Sequence, residues 1–309
     1  MIDHQTHHVP ILLASITDFL IDGLLALPED AAPGLILDCT LGGGGHSFQI
    51  IEKMRTHPKL LKHRVLGVDR DLDSIARGLV RFRKEIDEEK IEIFHGSFSA
   101  SLEAVASRPI YGLLADLGIS SDQIDSETRG FSFRYPAPLD MRMNTSQGLS
   151  LLEWLQKVGE RELSDVLFNY GDERFSRQIA RKILDLRSRG SLPKTTLELA
   201  EAIVSTFPPA LRYKGIHPAT RSFQALRILV NDELGELKKL IRDVFPKVTS
   251  GGRIAILSFH SLEDRPVKEA FKNRELYDLP FKKPLEASDE EVADNSRARS
   301  AKLRFAIRK

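Results

Sequence analysis

The sequence predicts an α/β protein with a mostly parallel, doubly wound sheet and an inserted all-helical segment. Three observations predict it. Residues 35–46, LILDCTLGGGGH, join an apolar run to four consecutive glycines and then to a helical pattern carrying Phe48, Ile50, Ile51 and Met54. Short apolar runs alternate with helical patterns as far as residue 116, as expected of strands joined by crossover helices. From 125 to 217 no convincing strand occurs, and strand-like sequence resumes only near 253.

Residues 1–34 begin with His7, His8, Val9 and Pro10, then place Leu12, Leu13, Ile16, Phe19 and Leu20 at helical spacing until Leu27 and Pro28 stop the pattern. The first strand follows and ends in Asp38. Each glycine after it costs roughly 0.5–1 kcal/mol relative to alanine in a regular element. A chain keeps four of them where side chains would obstruct something, most often a ligand against the backbone. A second strand, 64–68, ends in Asp69 and leads to a helix with Leu72, Ile75, Ala76 and Leu79. A third, 91–94, ends in His95-Gly96-Ser97-Phe98, and a fourth, 110–115, ends in Asp116-Leu117-Gly118-Ile119-Ser120-Ser121.

The inserted region carries two capping-box spacings, Ser150 with Glu153 and Thr195 with Glu198. Between them Phe175, Ile179, Ile183 and Leu186 share one helical face, with Arg174, Arg177 and Arg181 opposite. Pro218 fits the first turn of a long helix running to about residue 244. A fifth strand, 253–258, follows Gly251 and Gly252 and ends in Phe259-His260-Ser261. A short helix, a Pro- and acid-rich stretch (280–294) and a final strand, 303–307, close the chain. The expected domains are therefore 1–124 with 218–309, discontinuous, and an inserted helical domain at 125–217.

At 309 residues the chain can bury about three quarters of its unfolded surface. Charged residues make up 29% and hydrophobic residues 41%, ordinary for a soluble globular protein. A net charge of +1 leaves room only for local basic surface. Two such regions exist: 174–194 has seven basic residues against one acid, and 295–309 has six against none. They read either as a solvated helix face and a frayed tail or as phosphate-positioning surfaces, Arg297 and Arg299 among them. The lone cysteine, Cys39, excludes an internal disulfide and fits a reducing cytosol. Asp18 and Asp22 interrupt the early apolar stretch, so neither a signal peptide nor a membrane span is expected. No Cys/His cluster suits zinc, no metal ligand is assigned, and any metal requirement stays open.

In open α/β sheets ligands bind beyond the carboxyl ends of the strands, and five strand ends here carry unusual polar or glycine-rich sequence. Asp69, 24 residues after Gly45, stands where a carboxylate accepts from both ribose hydroxyls of an adenosine cofactor; its other reading is a helix N-cap. Phe98 either stacks on an adenine or packs in the core. Asp116, after an apolar strand, must be solvated or paired, and so has the strongest claim to a polar role. His46 and His260 read more readily as hydrogen-bonded structural residues than as bases. A dinucleotide is disfavoured because Ser47 stands at the third glycine position of G-x-G-x-x-G, and no P-loop sequence occurs. S-adenosyl-L-methionine carries no phosphate. It asks for bare backbone beside its methionine part and an acid for its ribose, and this region offers both.

The segments DCTLGGGGHS, GVDRD, HGSFS, LADLGISSDQ, RGFSFR, PLDMRM, YGDERFSRQIARKI, HPATRSFQALRILVNDEL, GGRIAILSFHSLEDR and RARSAKLR, with HVPILL before them, carry a resemblance over nearly the whole chain. In these blocks the chain resembles the bacterial small-subunit ribosomal RNA cytosine-N4 methyltransferases, the MraW/RsmH family. The resemblance implies a class I, Rossmann-like methyltransferase fold. It implies S-adenosyl-L-methionine bound by Gly44, Gly45, His46, Asp69, Phe98, Asp116 and Gln123. It also implies methylation of a cytosine exocyclic amine of 16S ribosomal RNA near the decoding centre, by a cytoplasmic protein acting on the small subunit. Asp116 is then the candidate catalytic residue, with His260 second; Phe131, Phe133 and Phe259 are available to hold the base. Gly43 stands where relatives often have arginine (GRGGH), which costs rigidity. The site equivalent to the [DNS]-P-P-[YFW] motif of many amino-methyltransferases reads Asp116-Leu117-Gly118-Ile119. Two rivals stay open, a NAD-dependent oxidoreductase and a non-catalytic RNA-binding ribosome assembly factor. Oligomeric state is also open, a homodimer included.

Overall fold

The computed structural model describes residues 10–212 and 215–309, so His7, His8 and Val9 lie outside the described residues. The chain forms two compact units, 1–118 with 234–309, and 119–233. The second is wider than the 125–217 expected from where strand-like sequence stops.

In the first unit seven strands form one sheet in the order β3-β2-β1-β4-β5-β7-β6. They are β1 (Leu35–Asp38), β2 (Arg64–Asp69), β3 (Ile91–His95), β4 (Ile110–Asp116), β5 (Val248–Ser258), β6 (Tyr277–Asp278) and β7 (Lys302–Arg308). The first five run parallel; β7 lies antiparallel between β5 and the short β6. The central strands are buried on both faces, and their alternating residues sort into two layers. Ile36, Val65, Leu114 and Ala255 face one core; Leu35, Leu37, Leu66, Leu113 and Ile254 face the other. The helices of this unit up to the insertion are α1 (Leu13–Leu25), α2 (Gly45–Arg55), α3 (Leu72–Arg81), α4 (Arg83–Asp87) and α5 (Ser101–Val105). α1 and α2 supply much of the first layer. Strand order reverses beside β1, so β1 and β4 diverge at the place where ligands bind in such sheets.

α3 turns small residues, not its leucines, toward the sheet. Leu72, Leu79 and Val80 are exposed, and the buried residues of the helix are Ser74 and Gly78. Space is the reason. A Cβ at Gly78 would lie 2.9 Å from Leu41, and one at Gly67 on β2 would lie 2.8 Å from it, so the two glycines make the slot that Leu41 fills. The residue just before the glycine turn is thereby wedged between strand and helix.

The second unit is helical: α6 (Ser121–Asp125), α7 (Leu151–Leu155), α8 (Glu160–Gly171), α9 (Ser176–Ser188), α10 (Thr196–Ser205) and α11 (Ala219–Val230). Capping boxes open α6, α7 and α10, at Ser120/Gln123, Ser150/Glu153 and Thr195/Glu198. The expected long helix from Pro218 to about 244 is interrupted. α11 ends at Val230, Asp232 takes a left-handed conformation (φ 46°), and α12 (Glu233–Lys239) starts anew. The break is held on purpose-built contacts: the Asn231 amide donates to the Met141 carbonyl and accepts the Met143 N–H, both at 2.7 Å. Arg227 pairs with Glu233 in a fork, at 2.8 and 2.9 Å. Helical periodicity alone shows none of this. After β5 the chain adds α13 (Ser261–Phe271) and α14 (Asp289–Asp294). Among the described residues no helix is long and apolar enough to cross a membrane.

Candidate active site

The carboxyl ends of β1, β2, β4 and β5 bring four acids into one electrostatic neighbourhood. Asp38 is buried at the tip of β1. Its carboxylate accepts the Ser47 hydroxyl at 2.6 Å and the Thr40 N–H at 3.1 Å. Burial nevertheless pushes its pKa up to about 6. Asp69, ending β2, accepts the Gly42 N–H at 2.8 Å through one oxygen and the Asp71 N–H at 2.8 Å through the other. Burial raises its pKa too. The N-cap of α3 is Asp71, which accepts from the Asp73 N–H, so that reading of Asp69 passes to its neighbour. Asp69 is instead a brace across the glycine turn.

Asp116 is partly buried at the tip of β4. Burial first, then the charges of Asp38 and Glu263, push its pKa up to about 8. Glu263, buried on the first turn of α13, accepts the Phe259 N–H at 2.8 Å. Its other oxygen lies 3.1 Å from His260 Nε2. His260 therefore stands beside the acid that crowds Asp116, which sequence spacing did not reveal. The charges of Asp38 and Glu263, both acting on Asp116, make a site that favours a positive charge.

The glycine turn is built for packing as well as for access. Gly42 and Gly44 take left-handed conformations, at φ 49° and 73°. A Cβ on Gly44 would lie 2.4 Å from the ring of fully buried Phe82, and one on Gly45 would lie 2.2 Å from Pro10. At these two positions the obstruction that glycine avoids is the protein itself rather than a ligand. Arg81, at the end of α3, donates to the Gly43 carbonyl at 2.6 Å and spreads over the Phe48 and Phe82 rings. Phe48 is accordingly on the exposed side of α2. The brace supplies from outside the rigidity that a second glycine removes.

His46 is buried, with Nε2 3.2 Å from the Ile11 carbonyl, and burial lowers its pKa to about 4. It ties the chain before α1 to the start of α2. Phe98 is half-buried and packs on the layer that contains Leu35 and Leu37. Gln123 lies in the second unit, buried, with its side-chain oxygen accepting the Ser120 N–H at 2.9 Å. Phe131 is buried in the helical core, so its ring is not open to a base, while Phe133 is half-buried and packs on His217 and Phe223. Phe259 remains partly exposed beside Gly118, a glycine at φ 99°.

The two basic regions also divide. Arg174, Arg177 and Arg181 are exposed, and Arg181 is only loosely paired with Glu160 at 3.6 Å. Arg187 is structural, donating to the carbonyls of Leu155 and Val158. The C-terminal basic run is no frayed tail, because 302–308 form β7 inside the sheet. There Arg304 forks onto Asp264 at 2.6 and 3.0 Å. Arg297 is half-buried and Arg299 exposed on the short turn before β7.

Residues that sequence reasoning passed over include Thr40, Ser47, Arg81 and Glu263. Their signal was present in part: a polar residue two after a buried acid, and an acid in the first turn of a helix that follows a strand tip.

Comparison with known proteins gives a consistent result. The MraW methylase family matches residues 5–309. A Crocosphaera subtropica protein called ribosomal RNA small subunit methyltransferase H is 45% identical over 98% of this chain and 89% of its own length. A Nostoc sp. protein of the same name is 45% identical over 97% of this chain and 92% of its own. One from Acaryochloris marina is 46% identical over 89% and 88%.

Proposed function

The chain belongs to the MraW methylase family, and on that premise we propose that it methylates the N4 amine of a cytidine in 16S ribosomal RNA near the decoding centre. Its methyl donor is S-adenosyl-L-methionine, and it works on the small subunit in the cytoplasm. The observation that carries the reading is the unshared acid. Asp116 stands at a strand tip beside the glycine turn, and no group among the described residues donates a hydrogen bond to its carboxyl.

The residues present fit the donor. The cluster of Asp38, Asp116 and Glu263 suits a cation, and Asp69 keeps acceptor capacity beyond the two N–H groups it already holds. Gly44, Gly45, His46, Asp69, Phe98 and Asp116 would hold it; for Gln123, in the second unit, the role rests on the family resemblance alone. When bound, the donor supplies a methyl group already activated on a sulfonium. The protein's share is placement, because the cytosine N4 lone pair is delocalised into the ring. A carboxylate accepting from N4–H is an established pairing; it holds the amine in line and takes up charge as the nitrogen becomes tetrahedral. Asp116 fills this role, its pKa pushed up to about 8 by burial and by the charges of Asp38 and Glu263. His260 has the weaker claim, since it lies against Glu263. The base must leave its stack to reach the site, and Phe259 is the ring available to hold it.

The helical unit is the substrate-recognition domain in this reading, with Arg174, Arg177 and Arg181 on ribosomal RNA phosphates and Arg297 and Arg299 assisting. Reversing Arg174, Arg177 and Arg181 to glutamate should weaken RNA binding at least tenfold at low salt and flatten its salt dependence. Donor affinity by calorimetry should stay unchanged; loss of both affinities would mean misfolding. The activity itself is tested by mass spectrometry of 16S ribosomal RNA from cells lacking the protein. One cytidine should lose an N4 methyl group, and restoring the chain should return it. Unchanged RNA would defeat the proposal.

A further inference from the structure

The β1–β4 ladder ends in an unusual rung. The Cys39 N–H donates to the Leu114 carbonyl at 2.8 Å, as a parallel ladder requires. In a continued ladder the Asp116 N–H would donate next to a carbonyl of β1. By then β1 has turned into the glycine segment, and the Asp116 N–H donates to the Thr40 hydroxyl oxygen at 2.6 Å. Thr40 also holds Asp38, its N–H donating at 3.1 Å. The same Asp38 carboxylate takes the Ser47 hydroxyl at 2.6 Å, on the first turn of α2. One buried acid thus anchors the glycine turn, the start of α2 and, through one hydroxyl, the backbone of the acid on β4.

We propose that Thr40 is a positioning residue for methyl transfer: its hydroxyl, held against buried Asp38, fixes the Asp116 backbone relative to the glycine turn. The proposal rests on Asp116 acting on the target amine. The side chain of Thr40 needs no contact with donor or RNA to matter. An acid set on a mobile strand tip would hold the amine less often in line with the methyl group, and a displacement near 1 Å can cost on the order of 100-fold in rate. Valine has the shape of threonine without the hydroxyl, and serine has the hydroxyl without the methyl group.

The test compares Thr40→Val, Thr40→Ser and Asp116→Asn in steady-state methylation of unmethylated small subunits, with donor binding by calorimetry and thermal midpoints alongside. Thr40→Val should lose roughly 10–100-fold in kcat, with KM for subunits and Kd for the donor within about threefold of the parent. Thr40→Ser should recover most of the rate. Full kcat in Thr40→Val overturns the proposal. So does a parallel loss of donor binding and rate, which would make Thr40 a brace of the turn alone. If Thr40→Val fails to fold, Thr40→Ala carries the same comparison. Normal turnover in Asp116→Asn would remove the premise itself, a result distinguishable from the failure of Thr40.

Discussion

Asp116→Asn should be nearly inactive and, at pH 8, more stable than the parent protein. The activity loss follows from the role proposed for Asp116, a carboxylate that accepts from the amine, and losses of roughly 10²–10⁴-fold are usual for such groups. The stability gain follows from the crowding of Asp116 by Asp38 and Glu263 in a partly buried position. In the native state its pKa is raised from 3.8 to about 8. Between those values the folded protein holds a proton that the unfolded chain has released, so stability falls as pH rises through the window. Asparagine does not ionise and escapes the penalty. The variant should match the parent near pH 4 and exceed it by about 1–3 kcal/mol at pH 8, a difference of several degrees in thermal midpoint. Scans at the two pH values with single-turnover methylation check both halves. A variant less stable at pH 8 would show that Asp116 is satisfied in the resting protein. Calorimetry separates its roles: retained donor binding assigns it to the amine, and lost binding assigns it to the donor.

Gly44→Ala should cost about 2–4 kcal/mol and weaken donor binding more than tenfold. Two penalties combine. The left-handed backbone at φ 73° costs an L-residue on the order of 1–2 kcal/mol, and overpacking a filled core typically costs 1–3 kcal/mol. The new methyl group would lie 2.4 Å from Phe82 Cε2, and Phe82 is fully buried and cannot withdraw. The turn must shift, carrying the Gly42 N–H away from Asp69. Pairing the change with Phe82→Leu should return part of the loss, because the second penalty is shared between the two residues. Gly43→Arg is the contrast. Gly43 is exposed and outside the left-handed region, so this variant should fold with a midpoint within a degree or two of the parent. Thermal scans of the variants decide; an unchanged midpoint for Gly44→Ala would mean that the turn is softer than its packing indicates.

The parallel strands were legible because each is a short apolar run punctuated by a polar tip, and burial on both faces demands that composition. The fifth strand was seen only from 253, since Ser250, Gly251 and Gly252 at its start carry no strand signal, although Val248 already pairs with Ile110. The buried side of α3 is not legible from apolar spacing, because Ser74 and Gly78 face inward for lack of bulk, while Leu72, Leu79 and Val80 are exposed. Asp69 and Asp116 were legible as acids at strand tips. Their neighbours were not: Glu263 follows Asp116 by 147 positions, and only the sheet register of β4 beside β5 brings them together.

By itself, the sequence determined which segments become strands and helices, that acids and glycines gather at the strand ends, and which family the blocks resemble. Those properties are local, set by periodicity, capping and the backbone freedom of single residues. Only the tertiary structure decided that Asp69 braces the turn while Asp71 caps α3, that Phe82 fills the space Gly44 leaves, and that Thr40 ties Asp116 to Asp38. It also decided that the C-terminal basic run is a strand of the sheet. These are pairings between distant parts of the chain, and a hydrogen-bonding or charged side chain acquires its role from whichever partner folding places within about 3 Å of it.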